Sequence, residues 1–136
     1  MDNCIFCKIA KGEIPSNTVY EDDNFRVILD IAPANPGHCL ILPKNHAADI
    51  FEMDSELVGK AHMLAKKIAS ALKSALHAEG INILQNNGEA AGQSVSHYHI
   101  HVIPRHSGDN VTLNKEGKSL SSDEFSAIVD KIKAEL

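Results

Sequence analysis

Apolar residues recur along this chain at two spacings. Between residues 54 and 79, Leu57, Ala61, Leu64, Ile68, Leu72 and Ala75 come three or four apart, which puts them on one stripe of a long helix. Asp54 suits the first amides of such a helix as a cap, and Gly80 is expected to end it. Elsewhere the apolar residues fall in short β-rich runs. Residues 19–21, 25–29, 38–42, 81–84 and 95–103 read as strands, with 81–84 buried. Asp22-Asp23-Asn24 supplies hairpin chemistry between the first two. Pro33, Pro36 and Gly37 break the chain before the third, Pro43 stops it, and Pro104 stops the last. Residues 4–12 read as a short apolar turn or helix ending at Gly12. Ser121 and Glu124 form a capping box ahead of Phe125, Ile128, Val129 and Ile132, which predicts an amphipathic helix over 121–136. The polar stretch 105–120 is expected to be a loose loop. Hairpin-joined strands with one long helix predict an α+β fold, an antiparallel sheet with helices on one face. The 136 residues suit a single domain, 1–136.

Composition narrows the function classes. The net charge of −5 argues against a broad nucleic-acid or membrane-surface partner, which needs a basic face. It leaves room for one small anion held locally. No apolar run is long enough to cross a bilayer, and the first residues lack a basic stretch followed by a long apolar run, so a cytoplasmic location is expected. Three cysteines make a disulfide framework unlikely in such a setting. Cys39 reads as apolar filler. Cys4 and Cys7 stand at metal-ligand spacing, or are two small apolar residues in a buried turn. Eight histidines are the compositional outlier.

Three of them fall in Ser94-Val95-Ser96-His97-Tyr98-His99-Ile100-His101-Val102-Ile103. On a strand, side chains alternate faces, so His97, His99 and His101 would share one face and stand roughly 7 Å apart in succession. A neutral imidazole is nucleophilic near pH 7, and a neighbouring imidazolium can neutralise phosphate oxygens and protonate a leaving group. Gly88, Gly92, Gln93 and Ser94 precede the run. Backbone amides of such a loop can point at an anion, with the serine hydroxyl as a further donor. Two rival readings stand at this level: a zinc site built on His-x-His, and a solvated histidine face. His62, His77 and the Lys66-Lys67 pair read as exposed helix positions.

The run His97-Tyr98-His99-Ile100-His101-Val102-Ile103 resembles the signature of the histidine-triad (HIT) family, alternating histidine and apolar residues. Phe6, Asp30-Ile31, His38, Pro43-Lys44-x-His46, Asn86 and Gly92-Gln93-Ser94 fit the same resemblance, which covers residues 1 to about 104. It is nearest the Hint-like branch, in bacterial-type members with an amino-terminal Cys-x-x-Cys. Leu29 and the absence of tryptophan are departures from that branch. The resemblance implies a five-stranded antiparallel sheet with one long helix and a carboxy-terminal helix, and a homodimer in which two sheets join. It implies a nucleotide hydrolase acting at the α-phosphate of purine nucleoside phosphoramidates or acyl-nucleotides. Alternatives are a dinucleoside polyphosphate hydrolase, a zinc hydrolase and a nucleotide-binding scaffold. By resemblance His99 is the nucleophile. His101, His38 and Ser94 assist, while Asp30, Ile31, Phe6, Asn86, Gly92 and Gln93 contact the nucleotide. Cys4, Cys7, His46 and His97 would hold a structural zinc, which would remove His97 from acid–base work.

Overall fold

Five extended segments pair into one antiparallel sheet in a computed structural model of the chain, which describes residues 3–113 and 117–136. The strands are β1 (Thr18–Glu21), β2 (Phe25–Leu29), β3 (Cys39–Pro43), β4 (Gly80–Leu84) and β5 (Ile100–Arg105), in the spatial order β1-β2-β3-β5-β4. Among the described residues three α-helices accompany them: α1 (Ile5–Ala10), α2 (Ser55–Leu76) and α3 (Ser122–Lys133). None of the described helices is long and apolar enough to cross a membrane.

The hairpin forms where the turn residues predict it. Asp22 Oδ1 accepts from the amides of Asn24 and Phe25, both at 2.8 Å, the local bonding that makes aspartate a turn residue. Strand β3 lies at the centre and is buried throughout. Because side chains alternate, its residues divide between two cores. Cys39 and Ile41 join Phe25, Val27, Ile100 and Val102 against Ala61, Leu64, Ala65, Ile68 and Leu72 of α2. Leu40 and Leu42 join Ile28 on the opposite face, under Ala10, Phe6 and Ile9 of α1. The helices therefore cover both faces, contrary to the one-face arrangement expected from the sequence. The long α2 lies across one face and builds the main core there. The six-residue α1 shields the other only in part, and the histidine row opens there.

Several boundaries differ from the sequence reading. Helix α2 ends at Leu76, closed by His77 in the left-handed conformation (φ 54°), and Gly80 instead begins β4. Strand β4 is a half-buried edge, not a buried strand. Strand β5 starts at Ile100, so residues 95–99 are not extended ladder, and it runs through Pro104. Proline is tolerated there because β3 begins at Cys39, opposite Val102. Pro104 therefore faces beyond the end of β3, and Asn35 Nδ2 donates to its carbonyl at 3.0 Å, so no ladder bond is lost.

Residues 105–111 are not loose. Arg105 and Asp109 pair at 2.8 Å, and Asp109 also accepts the amides of His106 and Val111 at 3.0 Å. Residues 114–116 of that expected loop lie outside the described residues. Ser121 and Glu124 do form the capping box of α3. The apolar face of α3 packs on nothing among the described residues: Phe125 and Ile132 are more than half exposed.

Gly37 has φ +96°, and a methyl group there would overlap Leu76 Cδ1 and press on Pro104. Gly37→Ala should lower stability by about 1–2 kcal/mol, the cost of a left-handed backbone in a residue with a Cβ. Urea denaturation reads this as a lower midpoint, and an unchanged midpoint would contradict it.

Candidate active site

The open face carries three imidazoles in contact. The His99 and His101 ring centroids lie 5.0 Å apart, and His38 and His101 lie 5.2 Å apart. This is closer than extended spacing predicts, because His99 precedes the strand and its ring turns toward His101. A cavity of about 530 Å³ opens beside them, within the usual range for a small-molecule site. Phe6 and Ile9 of α1 wall it on one side, Ile28 and Leu40 of the sheet form its floor, and Asp30, Ile31, Ser94, His99 and His101 also border it. The Phe6 ring stands edge-on to His99 with centroids 5.0 Å apart.

Fixed backbone groups set where each imidazole carries its proton. The His97 carbonyl lies 2.7 Å from His99 Nδ1. A carbonyl can only accept, so His99 is protonated on Nδ1 and keeps a lone pair on Nε2. The Ala34 amide donates to His38 Nδ1 at 3.0 Å, so neutral His38 is protonated on Nε2. That nitrogen sits 2.9 Å from His101 Nδ1 and donates to it, which leaves the His101 proton on Nε2. One row thus presents a bare nitrogen on His99 and an N–H on His101.

Burial keeps these rings neutral. His38 and His99 are at most 6% exposed. Desolvation lowers the pKa of both, with the Asp30 charge opposing it. His101 falls to about 4, from burial first and then from His99 and His38. The Asp30 carboxylate Oδ2 lies 3.6 Å from His38 Nε2, and its Oδ1 accepts the Ala32 amide at 2.9 Å.

His97 is turned to a different task. It is fully buried and donates from Nε2 to the Pro43 carbonyl at 2.9 Å, so its Nδ1 carries a lone pair. That nitrogen lies 3.4 Å from Cys4 Sγ, 3.5 Å from Cys7 Sγ and 3.2 Å from His46 Nδ1, while Cys7 Sγ and His46 Nδ1 are 3.2 Å apart. Four-coordinate metal with bonds of about 2.0–2.3 Å requires donors roughly 3.3–3.7 Å apart. The donor set therefore fits a metal, and Cys4, Cys7, His46 and His97 could hold one. Asp30, His38 and His101 are also close enough to be considered. The proton on His38 Nε2 argues against a metal there, because the Ala34 amide occupies the other nitrogen.

The site residues suggested by the sequence therefore divide. Phe6, Asp30, Ile31, Ser94, His99 and His101 surround one cavity, with His38 behind His101. Gly92 and Gln93 line a neighbouring polar hollow that Ser94 also borders. Gln93 has little left to offer a ligand: its carboxamide accepts the Gly88 amide and donates to the carbonyls of Ala48 and Val95. Asn86 lines neither cavity. The sequence reading missed Ile9, Ile14, Pro15 and Asn17, which wall the main cavity. Only the i, i+4 pair Ile5 and Ile9 signalled an apolar side of α1 there.

Comparison with known proteins identifies relatives. The HIT domain family matches residues 11–108. The protein hit of Bacillus subtilis is 48% identical over 105 residues, covering 77% of this chain and 72% of its own length. An adenosine 5'-monophosphoramidase of Schizosaccharomyces pombe is 36% identical over 135 residues, covering 98% of each chain. A zinc-bound histidine triad family protein from Mycobacterium smegmatis superposes with a TM-score of 0.79 at 36% identity over 99% of both chains.

The depressed histidine values carry a pH consequence. Between the ordinary value near 6.5 and about 4, the unfolded chain binds a proton at His101 that the folded chain refuses. Stability from this group is complete above pH 6.5 and drains away as pH falls toward 4. The urea midpoint should drop from pH 6.5 to pH 5, and more steeply in wild type than in His101→Asn. Equal slopes would contradict the assignment.

Proposed function

This chain belongs to the HIT domain family, and from that premise we propose that it hydrolyses purine nucleoside phosphoramidates or acyl-nucleotides at the α-phosphate, releasing the nucleoside monophosphate. The observation that carries the reading is the bare Nε2 of His99, fixed by the His97 carbonyl beside a nucleotide-sized cavity. The phosphoramidase activity named for the S. pombe relative supports the substrate class.

In this reading the base lies between Phe6 and Ile31, and the Asp30 carboxylate accepts from ribose hydroxyls. The α-phosphate sits over His99, where the His101 Nε2–H and the Ser94 hydroxyl meet its oxygens; the amides of Gly92 and Gln93 donate to the carbonyls of Glu89 and Gly88 and so shape the loop that presents Ser94. His99 Nε2 donates its pair to phosphorus, and the bond from phosphorus to the leaving nitrogen or oxygen breaks. The bound anion raises the pKa of His101 and His38 from their buried values, so that pair can lend the leaving group its proton. Water then attacks the nucleotidyl-histidine, returns a proton to the row and restores His99. Among the described residues no lysine or arginine borders the cavity; the serine hydroxyl and the imidazoles do the binding, which is how an acidic protein can hold a phosphate.

Cys4, Cys7, His46 and His97 would hold zinc, supported by their donor spacing and the zinc-bound neighbour. Zinc there would supply a cross-link between α1 and the sheet, and the His97–Pro43 hydrogen bond would orient its ligand. We also propose a homodimer with the two sheets joined, supported by β4 as an open edge bearing exposed Ile83.

His99→Ala should slow hydrolysis of an adenosine phosphoramidate more than about a thousandfold, as loss of a nucleophile does, while nucleoside monophosphate still binds. Near-normal turnover would remove His99 from the chemistry. Chelation should lower the melting temperature, whereas the protein that stays folded continues to turn over. Immediate loss of turnover without unfolding would favour metal-dependent chemistry instead.

A further inference from the structure

Behind the histidine row lies a set of contacts that no step above uses. Asp109 receives Arg105 Nε at 2.8 Å, Arg105 Nη2 at 3.0 Å and Asn35 Nδ2 at 2.8 Å, in addition to the amides of His106 and Val111. The Arg105 guanidinium, and then these amides, hold its carboxyl far below the usual carboxylate range. Arg105 also donates to Asn82 Oδ1 at 2.8 Å and to the Val111 carbonyl. The cluster locks the end of β5 to β4 and to the turn that follows.

Asn35 is the only described residue that carries this lock to the loop over residues 30–37. Its carboxamide donates both to Asp109 and to the Pro104 carbonyl. Its own carbonyl accepts from the His38 amide at 3.0 Å. The residue immediately before it, Ala34, supplies the amide on His38 Nδ1. Freed of that amide, His38 could carry its proton on Nδ1 and accept at Nε2 from His101. The His101 proton would then sit on Nδ1, and its outer nitrogen would face a phosphate oxygen with a lone pair. One backbone amide thus decides the polarity of two rings.

We infer that Asn35 is a positioning residue, anchored by Asp109 and the Pro104 carbonyl, that holds the Ala34 amide against His38 and so keeps the His101 N–H directed at the bound anion. The inference deepens the hydrolase reading. Its effect on turnover rests on that reading, and its effect on the histidine tautomers does not.

Nitrogen-15 NMR at neutral pH separates the two. Wild type should show His38 unprotonated at Nδ1, with a hydrogen-bond coupling to the Ala34 amide nitrogen. Asn35→Ala should lose that coupling and populate the Nδ1–H form. It should also lower kcat on an adenosine phosphoramidate by about ten- to a hundredfold, with KM moving less than about threefold. Asn82→Ala, which loosens Arg105 without touching the loop, should leave both tautomer and kcat at wild-type values. An Nδ1–H tautomer in wild type overturns the inference, and so does an unchanged tautomer in Asn35→Ala. An equal shift in Asn82→Ala overturns it too, because the effect would then be general loosening. If Asn35→Ala does not fold, the wild-type coupling decides. A wild-type protein without turnover whose tautomer still answers to Asn35→Ala sinks the hydrolase reading and leaves the positioning role intact.

Discussion

A hydrogen bond of 2.7 Å between His99 Nδ1 and the His97 carbonyl governs the rest of this molecule's chemistry. Side-chain partners could exchange protons with the ring, but a backbone carbonyl cannot. The bond therefore assigns the tautomer at every pH where the ring is neutral, and burial widens that range by opposing the imidazolium. The Ala34 amide does the converse job at His38, and His101 follows from it. A chain of rings that could adopt several proton arrangements is thereby reduced to one.

The fold serves this arrangement by treating the two faces of the sheet unequally. Helix α2 spans one face and makes the main core. On the other, α1 covers only Ile28, Leu40 and Leu42, leaving the ends of β2, β3 and β5 to border a cavity. His97 is the joint between the halves. Its ring faces Cys4, Cys7 and His46, which pin α1 against the sheet, and its carbonyl faces the His99 ring. Whatever fixes His97 therefore also fixes the direction of the His99 lone pair. This links the proposed metal centre to the proposed nucleophile without giving the metal any part in bond breaking.

Much of this was readable from residue patterns, and the failures have physical reasons. The helix stripe from Leu57 to Leu72, the hairpin at Asp22 and the capping box at Ser121 are local, and each forms as read. Alternation put Tyr98, Ile100 and Val102 in the core under α2 and left His97 and His99 beside Phe6 of α1, as read; it did not show that the ladder begins only at Ile100 or that the His97 ring turns toward Cys4, Cys7 and His46. Prolines 43 and 104 looked like strand stops. Both belong to strands, because whether a proline is tolerated depends on how far the neighbouring strand extends. The side of the sheet that α1 takes, and the contact of Asn35 with Asp109 across 74 positions, leave no trace in any short window. The resemblance to the histidine-triad family supplied His46 as a partner for the cysteines; spacing alone offered only the pair.

The central claim is that the bare nitrogen of His99 bonds to phosphorus. Rapid acid-free quenching of wild-type protein during turnover of an adenosine phosphoramidate, followed by peptide mass spectrometry, tests it most directly. The account predicts a nucleoside monophosphate group attached to the peptide containing residue 99, localised to that histidine and absent in His99→Ala. Turnover with no adduct at any time point, or an adduct on His101 or His38 instead, would contradict it.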